Sequence, residues 1–296
     1  MAITAAQVKE LREMTGAGMM DCKKALVECE GDIKKSVDWL REKGISKAAK
    51  KEGRTAADGL SKVIVNGNHA VIVEINSETD FVAKNDKFLA LLDETVNTIM
   101  ANPTVNSVEA ALALKAGDAT LNDAFINAVA IIGEKIQLRR FEVITKNDDE
   151  IFGTYMHNGG TISAVVVVKG TDDAQVAKDM AMQVASMSPS YVSRNDMPQD
   201  IIEHERTIQA ELVKNDETLA GKPDKVKAGI VEGRLSKSLQ DMCLVDQIYF
   251  KDQDIKCGAF LKENHAEVVR FVKYKVGEGI EKKQDDFAAE VAAMAK

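Results

Sequence analysis

Sliding the chain along itself by 92 residues, without a gap, lays Asn66-Gly67 on Asn158-Gly159 and Thr79-Asp80 on Thr171-Asp172. The same offset puts Phe88 on Met180 and Leu92 on Val184. In each copy a turn signal leads through Thr-Asp into an amphipathic helix, so two related subdomains packed together are expected. The match is loose at the strands. It is clearest in the first copy, where Val63-Ile64-Val65-Asn66-Gly67-Asn68 and Ala70-Val71-Ile72-Val73-Glu74-Ile75 read as a hairpin around Asn-Gly. At 296 residues the chain has room for further modules, since single cores usually split beyond roughly 250 to 300 residues.

Ahead of this repeat lies a helical texture. Thr4-Ala5-Ala6-Gln7 has capping-box spacing, and Val8 with Leu11 starts an apolar stripe, so a helix is predicted to about Met14, ended by Thr15-Gly16-Ala17-Gly18. Cys22, Ala25, Leu26 and Cys29 recur at helical spacing, and Ile33, Val37 and Leu40 continue it after Gly31-Asp32. The expectation is a three-helix bundle that resembles a ubiquitin-associated domain, followed by a solvated helical linker over Lys43 to Arg54. Further on, Ile201, Ile208, Glu205 and Leu212 at seven-residue spacing, with a break at Gly221-Lys222-Pro223, predict an inserted antiparallel helical hairpin over about 198–240. Val268 to Val276 alternates as a strand, and Phe287 to Met294 reads as a terminal amphipathic helix. The fold class expected is α+β, divided as 1–54, 55–141, 142–280 and a C-terminal module over 281–296.

Composition narrows the function. With 39 basic against 47 acidic side chains the net charge is -8, which repels phosphate backbones and argues against direct nucleic-acid binding. The N-terminal 54 residues are weakly basic, so the acidic excess lies beyond them. No apolar run approaches a membrane span, and Met1 to Gln7 lacks the layout of a secretory signal, so a cytoplasmic protein that binds no membrane is expected. Cys22, Cys29, Cys243 and Cys257 form no CxxC pair, and the four histidines stand apart from them, which indicates neither a zinc cluster nor a disulfide framework.

An enzyme would need a nucleophile with its base, a metal cluster or a phosphate cradle. Thr15-Gly16-Ala17-Gly18 lacks the lysine and spacing of a P-loop and follows a helix. Gly277-Glu278-Gly279 lacks the third glycine of a dinucleotide fingerprint. His204-Glu205 has no second histidine four residues on, and Asp148-Asp149-Glu150 reads as a solvated loop. No catalytic residue, metal or cofactor is expected.

Two apolar features stand out instead. Met20 falls off the stripe of its helix and, with Met19, either caps the small core or offers an adaptable contact surface. Phe81 follows Asp80 at a strand-to-helix junction, and its counterpart at the 92-residue offset is Asp173. Pattern alone favours core packing for Phe81. The counterpart favours a surface role, in which the ring would be a candidate anchor in a partner.

Leu11-Arg12-Glu13-Met14-Thr15-Gly16-Ala17-Gly18-Met19-Met20-Asp21-Cys22-Lys23-Lys24-Ala25-Leu26 and Glu74-Ile75-Asn76-Ser77-Glu78-Thr79-Asp80-Phe81-Val82-Ala83-Lys84 closely resemble two signatures of the bacterial elongation factor Ts family. Gly133-Glu134-Lys135-Ile136, Tyr155-Met156-His157, His265 to Val268 and Val276 to Glu281 match in the same order. The resemblance is weakest over 100–125 and 205–260. It implies a guanine-nucleotide exchange factor for elongation factor Tu, acting by protein–protein binding and without covalent chemistry. It places Thr79, Asp80, Phe81 and Val82 against the partner's G domain, where they disturb the Mg²⁺ site. It also implies partner contacts by Arg12, Met19, Met20, Lys23, His157 and Met294, and it leaves a one-to-one or two-to-two complex open. The competing reading is an adaptor that uses the N-terminal helical module for a different partner.

Overall fold

Thr4 opens the first helix as its spacing predicts. Its hydroxyl accepts from the Gln7 N–H at 3.3 Å, and Gln7 Oε1 accepts from the Thr4 N–H at 3.0 Å, a reciprocal capping box. The computed structural model, which describes residues 3–281, runs from here through α1 (Ala5–Thr15), α2 (Met19–Glu28) and α3 (Ile33–Lys51). Gly16 closes α1 at φ +65°, a left-handed conformation that costs glycine little. Val8, Leu11, Cys22, Ala25 and Leu26 bury themselves between these helices, with Val37 and Leu40 packed against them.

The stretch expected as a solvated linker is mostly the second half of α3. Lysine and alanine are good helix formers, and Gly44, which is buried, lets the helix lie close to a neighbour. A Cβ added there would stand 3.3 Å from the Ala130 Cβ. Arg41 also reaches Asp123 at 2.7 Å.

The chain then forms β1 (Asp58–Asn66), β2 (His69–Ser77), α4 (Asp86–Met100), α5 (Val108–Leu112), a small ribbon of β3 (Lys115–Ala116) with β4 (Ala119–Thr120), α6 (Leu121–Ile132) and β5 (Ile136–Thr145). The sheet order is β1-β2-β5. Val71, Val73 and Ile75 of β2 face Phe88, Leu92, Val96 and Ile99 of α4 in one core, which Phe125 and Val129 of α6 complete. These elements belong to the first of two compact units, which runs to Ile144 and includes Asn158–Thr161 and, among the described residues, 274–281.

Glu74 of β2 is fully buried in this unit. Its carboxylate accepts from Arg139 Nη1 at 2.9 Å, Arg140 Nε at 2.6 Å and the Gly277 N–H at 2.8 Å. Two cations and a backbone donor compensate the loss of water around the charge. The result ties β2, β5 and the turn at Gly277 together.

The second unit contains β6 (Glu150–His157), β7 (Ile162–Lys169), α7 (Ala174–Met187), α8 (Gln199–Lys214), α9 (Asp224–Met242), β8 (Ile248–Tyr249), β9 (Asp252–Lys256), α10 (Cys257–Glu263) and, as far as Lys273, β10 (Glu267–Lys275). Its main sheet has the order β10-β7-β6. The two hairpins share a register: Asp58↔Ser77 and Val65↔Ala70 in one correspond to Glu150↔Lys169 and His157↔Ile162 in the other, each residue 92 positions on. Met180 and Val184 are buried in α7 as Phe88 and Leu92 are in α4.

The seam of α8 and α9 differs from expectation. Ile208 and Leu212 are exposed, whereas Val213, Leu235 and Leu239 are buried. An α-helix turns every 3.6 residues, so a seven-residue row drifts off a straight contact line. Glu205 does face α9, accepting from Ser238 Oγ at 2.8 Å. Phe287 to Met294 lies outside the described residues.

Candidate functional site

The Thr79-Asp80-Phe81-Val82 segment is the turn that carries the chain from β2 to α4. Val82, 7% exposed, and Ala83 face the core beside Phe88. They root the turn on one side. Lys84 N–H donates to the Phe81 carbonyl at 3.2 Å and Asn85 N–H to the Val82 carbonyl at 2.9 Å, giving a short 3₁₀ turn over Val82–Lys84. The Asn85 side chain then caps α4 by accepting from the Lys87 N–H at 2.9 Å.

Between these roots the aromatic ring points away from the protein. Phe81 is 79% exposed, so the core packing favoured by pattern is not what the fold does with it. The buried positions of the turn go to Val82 and Ala83, and the helical backbone of Phe81, φ -63° and ψ -41°, turns its side chain to the other face. Asp80 is exposed beside it and pairs with Lys84 at 3.2 Å. Phe81 is the most exposed of the large apolar side chains among the described residues, and it stands beside an exposed carboxylate.

The N-terminal side of the turn is fixed by carboxylates. Glu134, just beyond α6, accepts from the Thr79 N–H at 3.0 Å and from Thr79 Oγ1 at 2.8 Å. Glu78 in return accepts from the Lys135 N–H at 2.6 Å and pairs with Arg54 at 3.3 Å. Ser77 Oγ adds a bond to the Thr79 carbonyl at 2.9 Å. The spacing of residues 78–79 and 134–135 in the chain hid this arrangement from sequence reasoning. The one available signal was that Gly133-Glu134-Lys135-Ile136 shares in the resemblance.

The other expected contact residues divide between the units. In the first, Met19 and Met20 open α2 with 56% and 74% exposure, so neither serves mainly to cap the small core. Arg12 and Lys23 are also exposed. The turn before Met19 is bonded to the helix after Phe81, since Lys87 Nζ donates to the Gly16 carbonyl at 3.1 Å. In the second unit, His157 ends β6 half-buried, its Nδ1 3.2 Å from the Tyr155 hydroxyl. Met294 lies outside the described residues.

Elsewhere among the described residues no group of three or more histidine, cysteine or acidic side chains could hold a metal ion. Cys243 and Cys257 are buried, and burial pushes the Cys257 thiol up to about 12, which leaves it protonated at neutral pH. Asp179 is held below its ordinary value: burial raises it, but bonds from Lys251, Tyr249 and Gln175 outweigh that. Its partners make it a structural anchor of the second unit.

The family model described as "Elongation factor TS" matches residues 78–278. Elongation factor Ts of Limosilactobacillus reuteri (strain DSM 20016) is 50% identical over 289 residues, covering 98% of this chain and 97% of the relative. Elongation factor Ts of Limosilactobacillus reuteri subsp. reuteri (strain JCM 1112) matches with the same identity and coverage.

Proposed function

This chain belongs to the elongation factor Ts family, and from that premise we propose that it binds elongation factor Tu·GDP in the cytoplasm and promotes release of GDP during translation elongation. The observation that carries the reading is the 79% exposure of Phe81 on a turn rooted at both ends. A ring already projecting from a fixed backbone loses little conformational freedom on docking. Burying it in a partner is worth roughly 1.5 to 3 kcal/mol.

The physical route is competition without covalent chemistry. Mg²⁺ demands near-ideal octahedral coordination, and bound phosphates depend on a formed P-loop in the partner. Asp80 and Phe81, flanked by Thr79 and Val82, act as the wedge that disturbs both. Coupling is reciprocal, so a factor that binds the empty G domain more tightly than the GDP-bound one weakens GDP by the same ratio.

Arg12, Met19, Met20 and Lys23 form a second contact, supported by the exposure of both methionines and by the Lys87 bond to Gly16. His157 and Met294 are further contacts by family resemblance. We read residues 1–54 as a ubiquitin-associated-like module. The two hairpin-plus-helix segments are a duplication, supported by the common register at 92 residues. Residues 198–240 form an inserted antiparallel hairpin, supported by the α8–α9 bond between Glu205 and Ser238.

The test is release of labelled GDP from elongation factor Tu with this protein at catalytic amounts. Acceleration with turnover supports exchange. Binding of elongation factor Tu without acceleration, or capture of a different protein in its place, supports the adaptor reading.

A further inference from the structure

Three hydrogen bonds join two short stretches of chain that are far apart in sequence, and an ion pair to Arg54 adds a third stretch. Glu134 receives both the N–H and the hydroxyl of Thr79, at 3.0 and 2.8 Å, while Glu78 receives the N–H of Lys135 at 2.6 Å and the guanidinium of Arg54 at 3.3 Å. Each stretch therefore offers a carboxylate to the other's backbone. The residue that Glu134 grips with two bonds stands two positions before Phe81.

We propose that Glu134 is a positioning residue for nucleotide exchange: through Thr79 it fixes the direction in which Asp80 and Phe81 leave the protein. The inference rests on the reading of Phe81 as the wedge. Three observations point to it. Phe81 has no packing of its own to hold it, being 79% exposed. The C-terminal root of the turn, through Val82 and Ala83, constrains only one end. Charge-assisted bonds from an ionised carboxylate to a backbone N–H and a hydroxyl are short and directional, so two of them on one residue fix orientation as well as distance.

The loop bearing Glu134 is itself held. Gly133 ends α6 at φ +87°, and its carbonyl accepts from Lys51 of α3. Lys135 Nζ reaches back to the Glu52 carbonyl at 2.5 Å. The end of α3 thus backs the clasp from behind, and Glu134 transmits that rigidity to the turn.

Full-length wild type, Glu134→Ala, Glu134→Gln, Phe81→Ala and the Phe81→Ala/Glu134→Ala double variant are compared in release of labelled GDP from elongation factor Tu over a range of factor concentrations. Glu134→Ala should lower the maximal release rate about tenfold, the loss of a charge-assisted bond, while moving the half-saturating concentration much less. Glu134→Gln keeps an oxygen for the Thr79 N–H and should recover to within about threefold of wild type. In the Phe81→Ala background Glu134→Ala should cost much less than it does alone, because most of its effect passes through that ring and only the share through Asp80 remains.

Wild-type rates from Glu134→Ala beside a slow Phe81→Ala overturn this proposal and leave the wedge reading intact. Wild-type rates from Phe81→Ala overturn the wedge reading, and this proposal with it. Fully additive losses also overturn it. If Glu134→Ala does not fold, Thr79→Val removes one of the same bonds from the other side, and a wild-type maximal rate in that variant counts against the proposal.

Discussion

Lys87 Nζ lies 3.1 Å from the Gly16 carbonyl, joining the first turn of α4 to the turn between α1 and α2. The bond spans the two stretches that carry the exposed methionines and the exposed phenylalanine. It also sits where Gly16 has little room, since a Cβ there would stand 3.2 Å from Lys87 Nζ and 3.3 Å from Ile131 Cδ1.

Lys87→Met should keep the fold and loosen this junction. An exposed charged contact contributes about 1 kcal/mol or less, so thermal unfolding should move little. Amide exchange around Gly16 to Met20 should quicken. Unchanged exchange there would show that apolar packing alone holds the α1–α2 turn in place.

Glu74 predicts an acid-sensitive first unit. Burial pushes its carboxyl up, but the Gly277 N–H and the Arg139 and Arg140 guanidiniums pull harder, so it stands below its ordinary value of 4.5. A folded-state pKa below the unfolded one means that the stabilisation is complete above the ordinary value. It is lost as pH falls from there through the lowered one. Glu74→Gln should cost about 3 kcal/mol at neutral pH, the low end for breaking a buried ion pair because both arginines are partly exposed. It should also flatten the acid limb of stability against pH, measured by denaturant unfolding at several pH values. An equally steep limb in the variant would assign the acid sensitivity to other carboxylates.

Gly153 of β6 packs against α7 so closely that an added Cβ would overlap the Ala177 carbonyl. Gly153→Ala should therefore separate strand from helix and cost on the order of 4 kcal/mol, since neither backbone can yield cheaply. Hydrogen exchange should show the loss concentrated in β6, β7 and α7. A variant as stable as wild type would mean that α7 shifts freely on the sheet.

Much of the fold was legible because it depends on local signals. Thr4 with Gln7, the glycine of the hairpin turn and the apolar rows of α2 and α4 each specify a cap, a turn or a face within a few residues, although the turn centres on Gly67-Asn68, one residue beyond the Asn66-Gly67 expected. The second half of α3 was harder, because a lysine-rich helix looks solvated until Gly44 is seen against Ala130. Ile208 and Leu212 were misplaced by the assumption of a strict seven-residue seam. At the candidate site, sequence located the Thr79 to Val82 turn but favoured burial for Phe81. A single aromatic at a strand-to-helix junction has no periodicity to reveal its face. Glu134 could not be paired with Thr79 at all, since hydrogen bonds between distant loops leave no pattern in either one.

The central claim is that Phe81 drives nucleotide release while contributing little to folding, and one side-by-side measurement tests both halves. Wild type and Phe81→Ala are compared for thermal stability and for release of labelled GDP from elongation factor Tu. An exposed ring should be removable within about 0.5 kcal/mol of wild-type stability. Exchange should nevertheless slow by at least about tenfold, the loss expected from a ring of this size no longer buried in the partner. A stable Phe81→Ala protein that releases GDP at the wild-type rate contradicts the claim.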